Sequence, residues 1–417
     1  MNTETARGAA GFTMLALAGV YAAQGIAGGV TLQAIPSALR AEGRALEDIG
    51  LMSLAILPWA LKFLWAPALE RLRLPAGSAV RRSRRIVVPG QLLMAALLLA
   101  IGPAAGLPLP WMLCLLTLLA LAAASVDVAC DGYAVDQLPP ARRGWGNAMQ
   151  VGGSYLGMFA GAGLFVLLLD ARGWNAAAAA MAALTALCAL PFALRREAPR
   201  PSPGGHRPSL AAAWRRAAVR RGIAATVVFQ LGSRLAYGMT GPLLIDRGLE
   251  LSALGWLNGA GGVSAGLAGT ALGAWLVQRS GTRRALRLAA ALQAAALLGF
   301  GLAVAADAPP AWLAACTLLR NGIAAAGFVA LYAWLMGLAS PLQSGVDFTL
   351  FQCADAATAA AGGLAAGLLA ARYGYGASFG LAGGLALAAC FLVPAIARSL
   401  PASGAPAGHP DSARDPQ

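Results

Sequence analysis

From Pro110 to Val135 the chain reads PWMLCLLTLLALAAASVDVACDGYAV, 26 residues whose only charged side chains are Asp127 and Asp131. About 20 apolar residues cover the hydrocarbon core of a bilayer as a helix, so this run is long enough to span one. A carboxylate near the centre of such a helix costs roughly 2.5–3.5 kcal/mol on insertion scales, which makes each aspartate a functional-site candidate. The stretch predicts a helical membrane protein that keeps ionisable groups where the bilayer penalises them.

The rest of the chain agrees. Of its 417 residues 59% are hydrophobic and 12% charged, against about 25% charged in soluble domains. The 52 Gly and 24 Pro also suit transmembrane helices, where both residues are more frequent. A soluble enzyme is excluded on these grounds, and no catalytic residues are expected. The net charge of +14 sits in short clusters between apolar runs, which is a topology signal and not a nucleic-acid footprint. The six cysteines, Cys114, Cys130, Cys188, Cys316, Cys353 and Cys390, all fall inside apolar runs without close pairing, so neither disulfides nor a metal site is expected. The apolar run from Phe12 is followed by further spans and reads as a retained helix, not a cleaved signal.

Cutting at charged and Pro/Gly-rich breaks predicts twelve spans, near 12–35, 49–69, 86–104, 110–135, 145–169, 175–194, 222–244, 252–277, 285–305, 311–337, 346–370 and 375–397. They form an all-α membrane protein of two six-helix halves, 1–194 and 222–398. A basic linker, 195–221, joins them, and a Pro-, Ala- and Gly-rich tail, 399–417, is expected to be disordered. With a cytoplasmic N-terminus, 23 arginines fall on the cytoplasmic side and 5 on the other, so the positive-inside rule puts both termini in the cytoplasm. The halves echo one another. Gln150 and Gln352 are 202 positions apart, as are Gly161 and Gly363, and Asp170-Ala171-Arg172-Gly173-Trp174 matches Ala371-Arg372-Tyr373-Gly374-Tyr375. Such parallel repeats resemble the plan of the major facilitator transporters.

The ionisable groups assigned to the spans, with Arg287 counted to the loop before span nine, are Lys62, Asp127, Asp131, Arg234, Arg320, Asp347 and Asp355. Spans three, six, nine and twelve have none in their interiors, and in the major facilitator plan these are the outer, lipid-supporting helices. Asp127 and Asp131 are spaced i, i+4 and share a helix face about 6 Å apart. Two carboxylates that close in a low dielectric cannot both ionise cheaply, which suits a proton carrier. The same pair also fits permanent neutralisation by Lys62 or an arginine, and a third reading has Asp131 merely facing the membrane exit. Lys62 stands alone among thirty arginines. A buried lysine shifts its protonation readily and an arginine does not, so Lys62 is either a proton-sensitive partner or a simple ion-pair member. Arg234 and Arg320 either hold an anionic substrate through forked hydrogen bonds or pair with Asp355.

Two loops carry a weaker signal. Gln278-Arg279-Ser280-Gly281-Thr282-Arg283-Arg284, after Gly273, looks like a degenerate Gly-x-x-x-Asp-Arg-x-Gly-Arg-Arg gate loop of major facilitator proteins, and Glu70-Arg71 with Arg81, Arg82, Arg84 and Arg85 is looser. No Walker loop is present, so drive by ATP is unsupported. His206 and His409 lie outside the spans, which leaves no histidine relay.

Pro58-Trp59-Ala60-Leu61-Lys62-Phe63-Leu64-Trp65-Ala66-Pro67 with Glu70-Arg71 resembles the Lys-Phe-Leu-Trp-Ala-Pro-x-x-Asp-Arg signature of muropeptide permeases and their relatives, the single-component siderophore permeases. Glu70 replaces the usual Asp. Asp127 to Asp136 and Arg143 to Gly153 are similar to the siderophore branch in particular. The likeness covers essentially the whole chain, is strongest from span two to span five, and is less specific in the C-terminal half.

That resemblance implies a monomeric, proton-driven importer of the bacterial inner membrane. It would carry an intact ferric siderophore to the cytoplasm by alternating access, with no cofactor. It makes Lys62, Asp127 and Asp131 the coupling core and Asn147 and Gln150 polar cavity candidates. Arg234, Arg320 and Asp355 enter as substrate-binding candidates on physical grounds alone. Muropeptide import, export of drugs or siderophores on the same fold, and a membrane sensor or acyl-transferring enzyme stay open as other readings.

Overall fold

The computed structural model describes residues 3–73, 81–137, 143–194, 197, 209–339 and 344–398, and they are helical almost throughout. In a bilayer every backbone N–H and C=O has to be satisfied internally, and an apolar helix does this within one segment. The first half holds α1, which runs as Thr3–Gly29, Val30–Ala34 and Ile35–Ala41; α2, Leu46–Leu64 with Ala66–Arg73; α3, Arg84–Ala104; α4, Leu109–Gln137; α5, residues 143–172; and α6, residues 174–194. The second holds α7, Ala217–Asp246; α8, Leu251–Ser280; α9, Thr282–Ala305; α10, Pro310–Met336; α11, residues 344–373; and α12, residues 375–398.

These are the twelve expected helices in two sets of six. The seventh starts at Ala217 instead of 222, and a short helix, Leu210–Arg215, precedes it. The predicted linker is therefore partly helical. Its early part and the tail 399–417 lie outside the described residues. The cause is legible in the sequence: Ala217 to Gly222 contains Arg220 and Arg221, which mark a span boundary by charge but do not break a helix.

The two echoing motifs are the sharp corners of the fold. Gly173 (φ 79°, ψ 177°) turns α5 into α6, and Gly374 (φ 79°, ψ 168°) turns α11 into α12. That backbone region is essentially open to glycine alone. Elsewhere glycine lets helices approach: on α2 and α11, a Cβ built on Gly50 would lie 2.9 Å from the Gly367 Cα. Small residues at such crossings are the usual means of helix packing in membranes.

The helices whose spans lack central charges pack in pairs. Gly102 of α3 meets Asn175 and Ala178 of α6, and Phe300 of α9 stacks edge-on against Phe379 of α12 at 4.9 Å. Three helices carry a wide π-turn: Val30–Ala34 in α1, Phe159–Leu164 in α5 and Leu257–Gly261 in α8. The α5 turn touches both of the others. Such turns rotate side chains off the regular helical register and recur at functional sites.

Candidate functional site

Lys62 reaches the interior because α2 is irregular. Pro58 and Pro67 interrupt its backbone donors, the helix tightens to 3-10 turns at Ser53–Ile56 and Lys62–Leu64, and it bends by 61° before Ala66. Proline removes an i to i−4 hydrogen bond and clashes with the preceding turn, which explains the break. Lys62 is 1% exposed, and its Nζ donates to Asp127 Oδ2 at 2.8 Å and to Gln352 Oε1 at 2.8 Å. The ammonium also lies 5.2 Å from the Trp59 ring centroid. Three helices, α2, α4 and α11, thus meet at one ammonium, and α11 belongs to the opposite half.

Asp131 sits one turn along α4 from Asp127. Its Oδ1 accepts a hydrogen bond from the Tyr21 hydroxyl of α1 at 2.5 Å. The two carboxylates expected to share a face therefore have different partners: Asp127 has a cation and Asp131 a phenol. Next to it, Gly132 leaves room for the Arg73 guanidinium, whose Cζ would be 2.7 Å from a Cβ at that position. Arg73 is bound to Glu70 within α2 (2.6 and 2.8 Å).

In the second half, Arg234 of α7 and Asp355 of α11 form a forked pair, Nε to Oδ1 at 3.0 Å and Nη2 to Oδ2 at 2.5 Å. Gln230 adds a hydrogen bond to Oδ1 at 3.0 Å. Arg320 of α10 is not in this cluster. It is 5% exposed, donates through Nη2 to Thr240 Oγ1 at 2.9 Å and lies over the Phe300 ring at 5.4 Å.

Other predicted positions scatter. Gln150 is half-buried on α5, and the Asn147 side chain lies outside the described residues. Glu70, Arg71, Gln278 and Arg279 stand at the ends of α2 and α8; Arg71, Gln278 and Arg279 are exposed, and Arg279 rests on Trp275 at 5.6 Å. No hydrogen bond joins the two loops among the described residues. Asp347, expected within a span, is instead in the first turn of α11, where it pairs with Arg216 at the arginine-rich end. That partner is itself at a helix boundary, so the pair joins the starts of α7 and α11.

Sequence reasoning did not place Tyr21, Arg73 or Gln352 at the site. Gln352 had a signal, its match with Gln150 across the repeat. Tyr21 had none beyond being a polar tip in an apolar helix.

Twelve helices in two pseudo-symmetric halves, with buried ion pairs on their facing helices, define a polytopic transporter of small solutes. The chain belongs to the Major Facilitator Superfamily, whose family model matches residues 17–345. The anhydromuropeptide permeases of Escherichia coli strain K12 and of Escherichia coli O157:H7 are each 30% identical to it over 345 residues, covering 80% of this chain and 70% of the relative. Among solved structures, a bacterial homologue of the human lysosomal transporter Spinster, inward-facing and occupied, superposes with a TM-score of 0.70 at 14% identity, covering 94% of this chain and 97% of that one. The nucleoside transporter NupG gives a TM-score of 0.68 at 12% identity, covering 92% and 99%. These two likenesses concern the fold.

Proposed function

We propose that this transporter is a proton-coupled importer of the bacterial inner membrane that carries an intact ferric siderophore into the cytoplasm. The observation that carries the coupling is the Lys62 ammonium shared between Asp127 of its own half and Gln352 of the other. Asp131, which has no ion-pair partner of its own among the described residues, is the proton site. Losing its proton places a second negative charge within electrostatic reach of Lys62. The ammonium then leaves Gln352 to bridge both carboxylates, and α2 is released from α11. A proton is thereby exchanged for a change in how the halves, 12–194 and 217–398, sit against each other, which is the coupling that alternating access requires. The motif around Asp127, Asp131 and Gly132 supports the siderophore assignment.

A second reading, import of anhydro-sugar peptides, is favoured by the 30% identical permeases. One experiment separates the two. Cells lacking other iron permeases express the protein, and uptake of a panel of radio-iron siderophores and of a labelled anhydromuropeptide is followed with and without a protonophore. Protonophore-sensitive uptake of a siderophore is expected. Uptake of the muropeptide alone replaces the substrate, and protonophore-insensitive uptake of either removes the coupling. Lys62→Ala and Asp131→Asn should each abolish accumulation while the protein remains inserted; full uptake by both variants overturns the role given to the cluster.

A further inference from the structure

The two arginines within the spans of the second half, Arg234 half-buried and Arg320 buried, differ in what surrounds them. Arg234 has its carboxylate, Asp355, in a forked pair. Arg320 has none: its partners are a threonine hydroxyl and an aromatic face, its Nε has no hydrogen-bond partner, and no carboxylate stands within ion-pair distance of it among the described residues. A guanidinium that stays protonated in so dry a place is held there at a stability penalty, which an uncompensated buried charge always carries.

We infer that Arg320 is the fixed anchor for an oxyanion group, a carboxylate, on the transported solute. The inference rests on the transport reading above. Arg320 lines a narrow cleft of about 20 Å³, room for a single water in this conformation, built from α1 of one half and α7, α8 and α10 of the other, which a solute would have to widen. Around it stand Gln33, Tyr237, Thr240, Asn258, Thr317 and Asn321, and no acidic residue lines the cleft. Two of these are presented by wide π-turns, Gln33 by that of α1 and Asn258 by that of α8. The Thr240 and Thr317 hydroxyl protons are engaged by the Ala236 and Leu313 carbonyls. Thr240 therefore meets Arg320 as an acceptor and helps hold the guanidinium plane. The amide N–H groups of Asn258 and Asn321 and the Tyr237 hydroxyl are the remaining donors. A cleft furnished with a cation and neutral donors selects an anion, and the Nε without a partner leaves the guanidinium a donor to spare for a carboxylate oxygen. Because both halves contribute walls, an anion seated there contacts each and is released when they part.

The test is thermal unfolding of the purified full chain in detergent, with citrate, salicylate or inorganic phosphate added at ionic strength matched by sodium chloride, and glucose as neutral control. Citrate or salicylate is expected to raise the wild-type Tm by about 3–6 °C, as a ligand bound only by the folded state does. Arg320→Gln should lose the shift, and Arg320→Lys should keep part of it. Without anions, Arg320→Gln should melt no lower than wild type, whereas Arg234→Gln, which strands Asp355, should melt lower. Equal anion stabilisation of Arg320→Gln overturns the proposal, as does the absence of a wild-type shift with all three anions. An Arg320→Gln chain that melts well below wild type or fails to fold makes the arginine structural and overturns it too. The binding readout uses no gradient, so loss of protonophore-sensitive uptake would sink the coupling scheme and leave this anchor standing.

Discussion

Lys62 occupies a position where size, donor geometry and charge all matter. Its ammonium serves Asp127 and Gln352 at 2.8 Å each from a residue that is 1% exposed. An arginine keeps the charge but brings a larger, planar fork that cannot occupy the same point between two acceptors. Lys62→Arg should therefore insert normally and lose at least about tenfold in uptake rate, a change of ~1.4 kcal/mol in barrier; retention of wild-type uptake would show that charge alone suffices. The residues of this cluster were unequally legible. Lys62, Asp127 and Asp131 stand out in the sequence because an ionisable group in a bilayer is expensive and has to have a reason. Tyr21 and Gln352 are neutral, carry no such penalty, and acquire their roles only from partners 110 and 290 positions away.

At the scale of elements, hydrophobic run length located the helices, and what it missed was their interruptions. The span predicted at 49–69 is two segments bent by 61°, because the prolines that disturb it leave its apolar pattern intact. The π-turns leave no mark on the pattern either, since one extra residue in a turn does not alter the length of apolar run by which a span is recognised. The repeat was the better guide, for it paired the two corner motifs that prove to contain Gly173 and Gly374 with nearly identical backbone angles. A Cβ at either finds open space, so the penalty of a substitution is one of backbone alone. Gly173→Ala and Gly374→Ala should each lose about 1–3 kcal/mol of stability, by similar amounts, measured as a fall in Tm in detergent. Markedly unequal losses would argue that the corners are not equivalent and weaken the pseudo-symmetry as a physical rule.

For the whole molecule, the question is which mouth is shut. On the face poor in arginine, Arg40 of α1 grips Asp246 of α7 through Nε (2.6 Å) and Nη2 (2.7 Å), and the Tyr375 hydroxyl of α12 donates to the same carboxylate at 2.7 Å. This bond ties one half to the other, and Gly50 against Gly367 closes α2 on α11 at the same end. By the charge count that mouth faces away from the cytoplasm. Nothing in the sequence paired Arg40 with Asp246, because both read as ordinary loop charges at the ends of predicted spans; only the docking of the two halves brings them together. The pair is about a quarter exposed on each side chain, so its worth is that of a half-solvated bridge, ~1 kcal/mol. Such an amount changes the ratio of two conformers about fivefold, which is small for stability and large for a transporter poised between two states. Arg40→Ala should then open the outer mouth more often. Ser37, 1% exposed between α1 and α7 just inside it, reports that opening once changed to Ser37→Cys. A membrane-impermeant thiol reagent added from outside should label Ser37→Cys about fivefold faster when Arg40→Ala is present, with the chain lacking Ser37→Cys as background. Equal labelling rates would mean that the glycine contact, and not the ion pair, holds the mouth closed, and the same measurement on Gly367→Ala would then be the one to show acceleration.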